Sequence, residues 1–344
     1  MIRALLIALA LLAPAALHAQ EAHARFGPPG GAQIRLRSTT DIAILAPVLE
    51  AFVARNPDLA VAYEQWGSND LYALALAECR AGRGTADALL SSAVHQMVEL
   101  VNFGCASPYR SELTQALPEA RRWRDEIWGI SHEAAVILYN RALVPPEDVP
   151  QTRFDLLDLM RRDDQRYRGK IATYDIEASG LGYLFAYADS LEASTFGALL
   201  EGFARAEAVA TCCSAEIIQG VAEGRYLFAY NVLGSYVETD RRDSVGVLRP
   251  RDYTLFLSRA YMMPRGAAPG ATRLLEFLLS PEGQRRLADS GLRGPRRTTE
   301  VDNLPASAER PIPIGPELLV ARDVQKRGRF IARWRDSFGQ AALP

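Results

Sequence analysis

The sequence predicts an α/β protein built as a two-lobe clamshell, each lobe a mostly parallel sheet flanked by helices, with two strands crossing between the lobes. Three observations predict it. From residue 33 onward, short apolar strands alternate with amphipathic helices, the pattern of parallel sheets. Two extended stretches, 127–140 and 244–264, are too long to be further short strands and are suited to crossing from lobe to lobe. The 344-residue length fits about two units of ~100–150 residues.

The elements follow in order. Residues 1–19, MIRALLIALALLAPAALHA, carry Arg3, an apolar run and a small residue at Ala19. This is the grammar of a secretory signal peptide cut near Ala19, which places the mature chain in the periplasm. The apolar run falls short of the ~20 residues a membrane span needs. Residues 20–32 are rich in Gly and Pro and read as a loose lead-in. Strand 33–37 feeds a helix whose Ile44, Leu45, Val48, Leu49 and Phe52 recur at helical period. Pro47 fixes its start soon after Asp41, because proline is tolerated in the first helical turn. Strand 59–65, helix 70–82, strand 86–91 and helix 95–104 complete the first series. After the crossing stretch come helix 153–162, strand 169–175, helices 181–191, 195–207 and 214–224, and strand 225–231. Helices 271–280 and 281–291 and a last amphipathic helix near 335–338 close the chain. The expected division is 33–130 for the first part of lobe 1, 131–245 for lobe 2, and 246–344 for the return to lobe 1 with the C-terminal helices.

Composition narrows the function. Hydrophobic residues make up 49%, charged residues 23%, and the net charge is −2, an ordinary globular balance that argues against nucleic acid as partner. The four cysteines lack Cys-x-x-Cys spacing and the four histidines are scattered, so no metal site is expected. Cys79 ends one helix and Cys105 follows the next, which suits a bridge in an exported chain. Cys212 and Cys213 are adjacent, a strained geometry for a disulfide, and their state is left open. No nucleophile elbow, zinc helix or phosphate-binding Gly-x-x-x-x-Gly-Lys loop is present. The chain therefore reads as a binding protein without cofactor, not an enzyme.

In open α/β sheets ligands bind beyond the carboxyl ends of the strands. Four such ends carry small polar groups: Ser38, Thr39, Thr40 and Asp41; Ser91 and Ser92; Ser179 and Gly180; and Asn231, Gly234, Ser235 and Tyr236. Each feeds a helix N-terminus, where unpartnered N–H groups and the helix dipole favour an anion. Such residues are also the preferred N-caps, and any one turn alone is more often a cap than a ligand site. Four together, facing one cleft, point to an anionic solute. Thr40 and Asp41 include the cap, which leaves Ser38 and Thr39 as the better ligand contacts. Trp66 and Ser68 follow the second strand, and His132 lies on the crossing stretch as a cleft-floor contact.

Three stretches resemble bacterial periplasmic solute-binding proteins of ATP-driven (ABC) uptake systems: 45-LAPVLEAFVARNPDLAVAYE-64, 128-WGISHEAAVILYN-140 and 274-LLEFLLSPEGQRRLADSG-291. The third is the most specific, and it makes physical sense: Ser280 caps, Pro281 starts the helix and Glu282 complements the dipole. Within that family the chain is similar to the branch holding ferric-ion-binding, phosphosugar-binding and phosphoglycerate-transport regulatory proteins. The resemblance implies the type II periplasmic binding fold, a monomer, and a membrane partner: an ABC permease, or the sensor domain of a histidine kinase. Ferric binders of this branch present two adjacent tyrosines where this chain reads 226-YLFAYNVLGSY-236, without such a pair. An iron site would have to draw on Tyr230, Tyr236, His132 and an acidic residue. The hydroxyl-rich strand ends fit a phosphorylated or carboxylated solute better.

Overall fold

The computed structural model describes residues 20–162, 165–192, 195–240, 243–292 and 306–338. The expected signal segment 1–19 lies outside them. The strands are β1 (Gln20–Phe26), β2 (Ala32–Ser38), β3 (Leu59–Trp66), β4 (Ala88–Ser91), β5 (Arg122–Trp123), β6 (Ile127–Gly129), β7 (Glu133–Asn140), β8 (Ile171–Tyr174), β9 (Val209–Thr211), β10 (Phe228–Leu233), β11 (Val245–Leu248), β12 (Thr254–Leu257), β13 (Ala260–Met262) and β14 (Glu309–Pro311). The helices are α1 (Ile42–Arg55), α2 (Ser68–Arg80), α3 (Val94–Asn102), α4 (Glu112–Gln115), α5 (Arg153–Arg161), α6 (Gly180–Glu192), α7 (Phe196–Arg205), α8 (Ser214–Ala222), α9 (Gly234–Asp240), α10 (Gly270–Leu279), α11 (Pro281–Asp289) and α12 (Val324–Phe338).

Two sheets define two lobes. The first has strand order β1-β3-β2-β4-β13-β6-β5, the second β14-β12-β7-β10-β8-β9, with β11 also on β7. Both are mixed. Their centres are parallel, β3-β2-β4 in one and β10-β8-β9 in the other, as alternating strands and helices require. The antiparallel pairs come from the crossing strands, which enter each sheet from the opposite lobe, and from β1, which lies antiparallel beside β3. One crossing runs β6–β7 through residues 130–132, the other β12–β13 through residues 258–259.

Local chemistry sets the helices where the sequence predicts them. α1 starts right after Asp41 and buries Ile44, Leu45, Val48, Leu49 and Phe52, but Pro47 lies in its second turn, inside the helix, and not in the first turn as expected; having no N–H, it forgoes one intrahelical bond. Ser280 accepts the Gly283 N–H at 3.1 Å and Pro281 occupies the first turn of α11. Thr152 and Asp155 form a reciprocal capping box on α5.

Three features differ from expectation. Residues 20–26 of the lead-in are not loose: they form β1, antiparallel to β3. Gly27 makes the turn that follows. Its φ is +89°, and a Cβ there would lie 2.7 Å from the Leu59 carbonyl. The second lobe does not end at 245, because β11 and β12 continue along β7 as far as Leu257. Nor does the tail stay with lobe 1. β13, α10 and α11 do, but β14 pairs with β12 and α12 packs on α7, both in lobe 2. Local periodicity reveals an element but not which sheet it joins.

Cys79–Cys105 and Cys212–Cys213 are both disulfides, so the pair whose state was open is bridged. No described helix is long and apolar enough to cross a membrane.

Candidate functional site

A cleft of about 250 Å³ opens where the strand ends of the two lobes meet. Seven of the fifteen residues singled out in the sequence line it: Thr39, Asp41, Trp66, Ser68, Ser92, Ser179 and Tyr236. Topology explains the convergence. β2, β3 and β4 end on one side and feed α1, α2 and α3; β8 and β9 end on the other and feed α6 and α8. Thr39 and Ser92 tie two of these ends together, with Ser92 N donating to Thr39 Oγ1 at 3.0 Å and the two hydroxyls 3.2 Å apart.

The lobes also touch directly. Gly180 N donates to Ser68 Oγ at 2.8 Å. Asn69 Nδ2 donates to the carbonyls of Glu177 and Ala178 at 2.8 and 3.0 Å. A Cβ on Gly180 would meet Gln96 Nε2 at 2.7 Å, so glycine permits this approach. Arg322 pairs with Glu99 across the same seam at 2.6 Å.

The other eight residues point elsewhere. Ser38 is buried, and its Oγ accepts the Thr40 N–H at 3.0 Å. Ser91 does the same for Ala93 at 3.1 Å. Thr40 is buried against Arg259, whose Nη1 donates to Thr40 Oγ1 at 2.8 Å. Asn231 is not at a strand end, because β10 runs on to Leu233. It sits at a bulge with φ +55° and turns its amide onto Asp189 at 2.8 Å. Gly234 packs against the Ala134 backbone, and Ser235 Oγ donates to Glu133 Oε2 at 2.5 Å. His132 stacks on Phe256, with ring centres 4.5 Å apart. Gly180 serves the lobe contact just described. Among the described residues no group of three or more His, Cys, Asp or Glu is placed to hold a metal ion. The tyrosine and histidine set considered for iron is not assembled either: Tyr230 is buried on Asp189 at 2.5 Å and His132 lies off the cleft.

Sequence reasoning missed several lining groups. Glu21 arrives on β1, the strand read as a loose lead-in. Asp70 lies in the first turn of α2, Tyr174 ends β8, and Cys212, Cys213 and Ser214 form the β9–α8 turn. That last turn has the same strand-end grammar as the four predicted ones and could have been found by it; the cysteine pair drew attention only as a bridge.

Charge in the cleft is uneven. Glu21, Asp41 and Asp70 are carboxylates, and no lysine or arginine lines it among the described residues. Gln65 Nε2 joins two of them, at 3.1 Å to Glu21 and 3.2 Å to Asp41. Burial raises the Asp41 pKa above its ordinary value; Arg259 opposes the rise and Glu21 adds to it. The nearby cations are already neutralised. Arg37 is held by Glu64 at 2.8 Å and Glu78 at 2.9 Å. Arg259, fully buried behind Tyr236, is held by Glu133 at 2.9 Å. Burial alone would lower the Arg259 pKa, but the Glu133 carboxylate outweighs it and holds the guanidinium charged.

Positive potential comes instead from backbone. The N-caps of α2 and α8, Gly67 and Cys213, make no side-chain cap, so N–H groups of both first turns stay available at the cleft. Ser179 caps α6 through Gly182 N at 3.1 Å, yet its hydroxyl proton can still be donated.

Two α/β lobes, two crossing strands and a polar cleft at the strand ends define a two-lobe solute-binding protein. The chain belongs to the bacterial extracellular solute-binding protein family, whose profile matches residues 85–315, about two thirds of its length. It is similar to the substrate-binding protein of an ABC transporter from Agrobacterium tumefaciens: 31% identity, TM-score 0.85, 92% of this chain and 98% of that one covered. Two more distant structures share the fold. They are AfuA from Actinobacillus pleuropneumoniae with fructose-6-phosphate bound (15% identity, TM-score 0.68, 90% and 99% covered) and iron-bound HitA from Pseudomonas aeruginosa (16%, 0.65, 89% and 99%). No curated protein matches the chain in sequence.

Proposed function

We propose that this protein captures a small, hydroxyl-rich solute bearing one oxyanion group and delivers it, in the periplasm, to the permease of an ABC uptake system. The observation that carries the reading is the convergence of five hydroxyls, Thr39, Ser68, Ser92, Ser179 and Ser214, with the uncapped N-termini of α2 and α8 in one cleft. Hydroxyls and helix N–H groups take an oxyanion without a formal cation. Glu21, Asp41 and Asp70 accept hydrogen bonds from the solute's own hydroxyls. The Agrobacterium relative supports the permease, and the fructose-6-phosphate-bound neighbour supports a phosphorylated polyol.

Binding closes the lobes about residues 130–132 and 258–259, and the membrane partner recognises the closed monomer. Ser68–Gly180 and Asn69–Glu177 are the contacts that hold closure. Asn69→Ala is expected to weaken solute binding while leaving the unfolding midpoint close to wild type; an unchanged Kd removes the latch.

Three carboxylates without a lining cation favour a second reading, a neutral or amine-bearing polyol. Calorimetric titration of sugar phosphates beside their unphosphorylated parents decides between them. Tighter binding of the phosphates supports the oxyanion, and tighter binding of the parents supports the second reading. Ferric loading is expected to give no tyrosinate–iron absorption band. Affinity capture on membranes is expected to recover a permease; recovery of a histidine-kinase sensor domain alone would replace the transport role with a signalling one.

A further inference from the structure

The Cys212–Cys213 disulfide lies in the cleft wall, and both of its residues are exposed there. It closes a ring between the end of β9 and the first turn of α8, and Cys213 is the N-cap of that helix, with its carbonyl accepting the Ile217 N–H at 3.1 Å. A side-chain S–S link between neighbours leaves the pair little freedom. Its sulfurs are polarisable and weak as acceptors, so the surface it shows is apolar and fixed.

The surroundings on lobe 2 extend that surface. Ala178 and Ala215 line the same wall and are exposed, whereas the hydroxyl-bearing Ser179 and Ser214 are each only 8% exposed. Ser214 shares a hydrogen bond with Tyr174, oxygen to oxygen at 2.6 Å. The lobe 1 wall is the opposite in character: Glu21, Thr39, Asp41, Ser68, Asp70 and Ser92 are all polar. Its one large aromatic, Trp66, is only 8% exposed, and its indole N–H is held by Glu64 at 3.3 Å. Tyr236, also on lobe 2, lines the cleft half-buried with its hydroxyl donating to the Thr39 carbonyl at 3.4 Å, and the disulfide with its two alanines is the more exposed apolar surface of the cleft among the described residues.

We infer that the disulfide is a specificity-determining contact, a flat plate for the carbon–hydrogen face of a ring-shaped polyol such as a sugar or cyclitol, whose hydroxyls face lobe 1. The inference rests on the proposed solute-capture role and names the shape of the solute. An open-chain polyol with the same hydroxyls presents no flat face and gains less from the plate. Covering one ring face corresponds to about a tenfold preference.

The test is calorimetric binding of two matched pairs, glucose 6-phosphate with sorbitol 6-phosphate and glucose with sorbitol, to the wild type and to Cys212→Ser/Cys213→Ser. A second variant, Cys212→Ala/Cys213→Ala, guards against a fold defect in the first, and thermal melts check both. The wild type is expected to prefer the ring member by about tenfold. The preference falls to about twofold in the serine variant and lies between in the alanine variant. Equal binding of ring and open-chain probes by the wild type overturns the plate, as does an undiminished preference in both variants or failure of both rings to bind. Should the ring preference appear only in the unphosphorylated pair, the oxyanion reading fails and the plate stands.

Discussion

Arg153 and Arg259 solve the same problem in two places. Each is almost fully buried, at 1% and 0% exposure, and each faces one buried carboxylate. Arg153 lies within lobe 2. Its Nε donates to Tyr230 at 2.6 Å, its guanidinium lies 3.6 Å from the Tyr253 ring centre, and Asp189 gathers Tyr230, Tyr253 and Asn231 at 2.5, 2.7 and 2.8 Å. All of these groups belong to one rigid unit, so the network welds α5 and α6 to β10.

Arg259 lies at the crossing. Its backbone N–H donates to Ser131 Oγ at 2.8 Å, its guanidinium reaches Thr40 on lobe 1, and Glu133 collects Ser131 and, from lobe 2, Ser235. Ser258 Oγ adds a 2.5 Å bond to the Ser131 carbonyl, and Gly129 has no room for a Cβ beside Ser258. One buried ion pair therefore fixes the inside of a lobe, and the other fixes the crossing that joins the lobes. The same chemistry serves the interior of one lobe in the first case and the junction between lobes in the second.

The largest expected effect breaks the first cluster. Asp189→Ala leaves the buried Arg153 with only the partly exposed Asp252 at 3.5 Å as counter-charge, strips Tyr230, Tyr253 and Asn231 of their common acceptor, and should cost about 3–5 kcal/mol in denaturant unfolding. Solute affinity of the folded fraction should not change, since no member of the cluster lines the cleft. Glu133→Ala should cost a similar 3–5 kcal/mol, and here affinity should change as well, because Thr40 and Ser235 lose their common anchor. An unchanged Kd in Glu133→Ala would erase the distinction between the two arginines.

A smaller effect is expected at the cleft. Thr39→Ala with Ser92→Ala removes two cleft hydroxyls and should weaken binding of a charged solute by about 1–3 kcal/mol per hydroxyl, with a stability loss of about 1 kcal/mol because the Ser92 N–H loses its Thr39 Oγ1 acceptor. Ser38→Ala, which the sequence favoured as a binding change, should act on the turn instead, because Ser38 Oγ is spent on Thr40 N.

The smallest effect concerns acid. His95 is buried against Tyr183, and burial first, then Arg322 and Arg327, hold its pKa well below the ordinary 6.5. The folded state keeps it neutral where the unfolded chain takes up a proton. Stability is thus present above the unfolded pKa and lost as pH falls below about 6.5, by about 1 kcal/mol at about pH 5.5. His95→Gln should flatten that part of the stability–pH curve in chemical denaturation.

What the sequence made legible follows from range. The Ser280-Pro281-Glu282 start and the helical stripe from Ile44 to Phe52 are local signals, and they placed α11 and α1; Pro47, read as a first-turn marker, lies a turn further in. The strand-end hydroxyls were legible as a group because β–α turns share one grammar. Which hydroxyl faces the cleft was not: Ser38 and Thr39 are neighbours, and backbone alternation sends one inward and the other to the cleft. Glu21 and the return of β14 to lobe 2 depend on pairings between distant segments, and no local pattern encodes them. The role of Asn231 turned on a bulge that shifts register between Ala229 and Val232.

The most direct measurement is native mass spectrometry of the mature protein released gently from a periplasm, beside the Thr39→Ala/Ser92→Ala variant prepared identically. A retained small-molecule mass in the wild type, matching a phosphorylated or carboxylated polyol and absent from the variant, is the predicted result. The same mass retained equally by both proteins would contradict the cleft as the site, and a retained iron mass would contradict the solute.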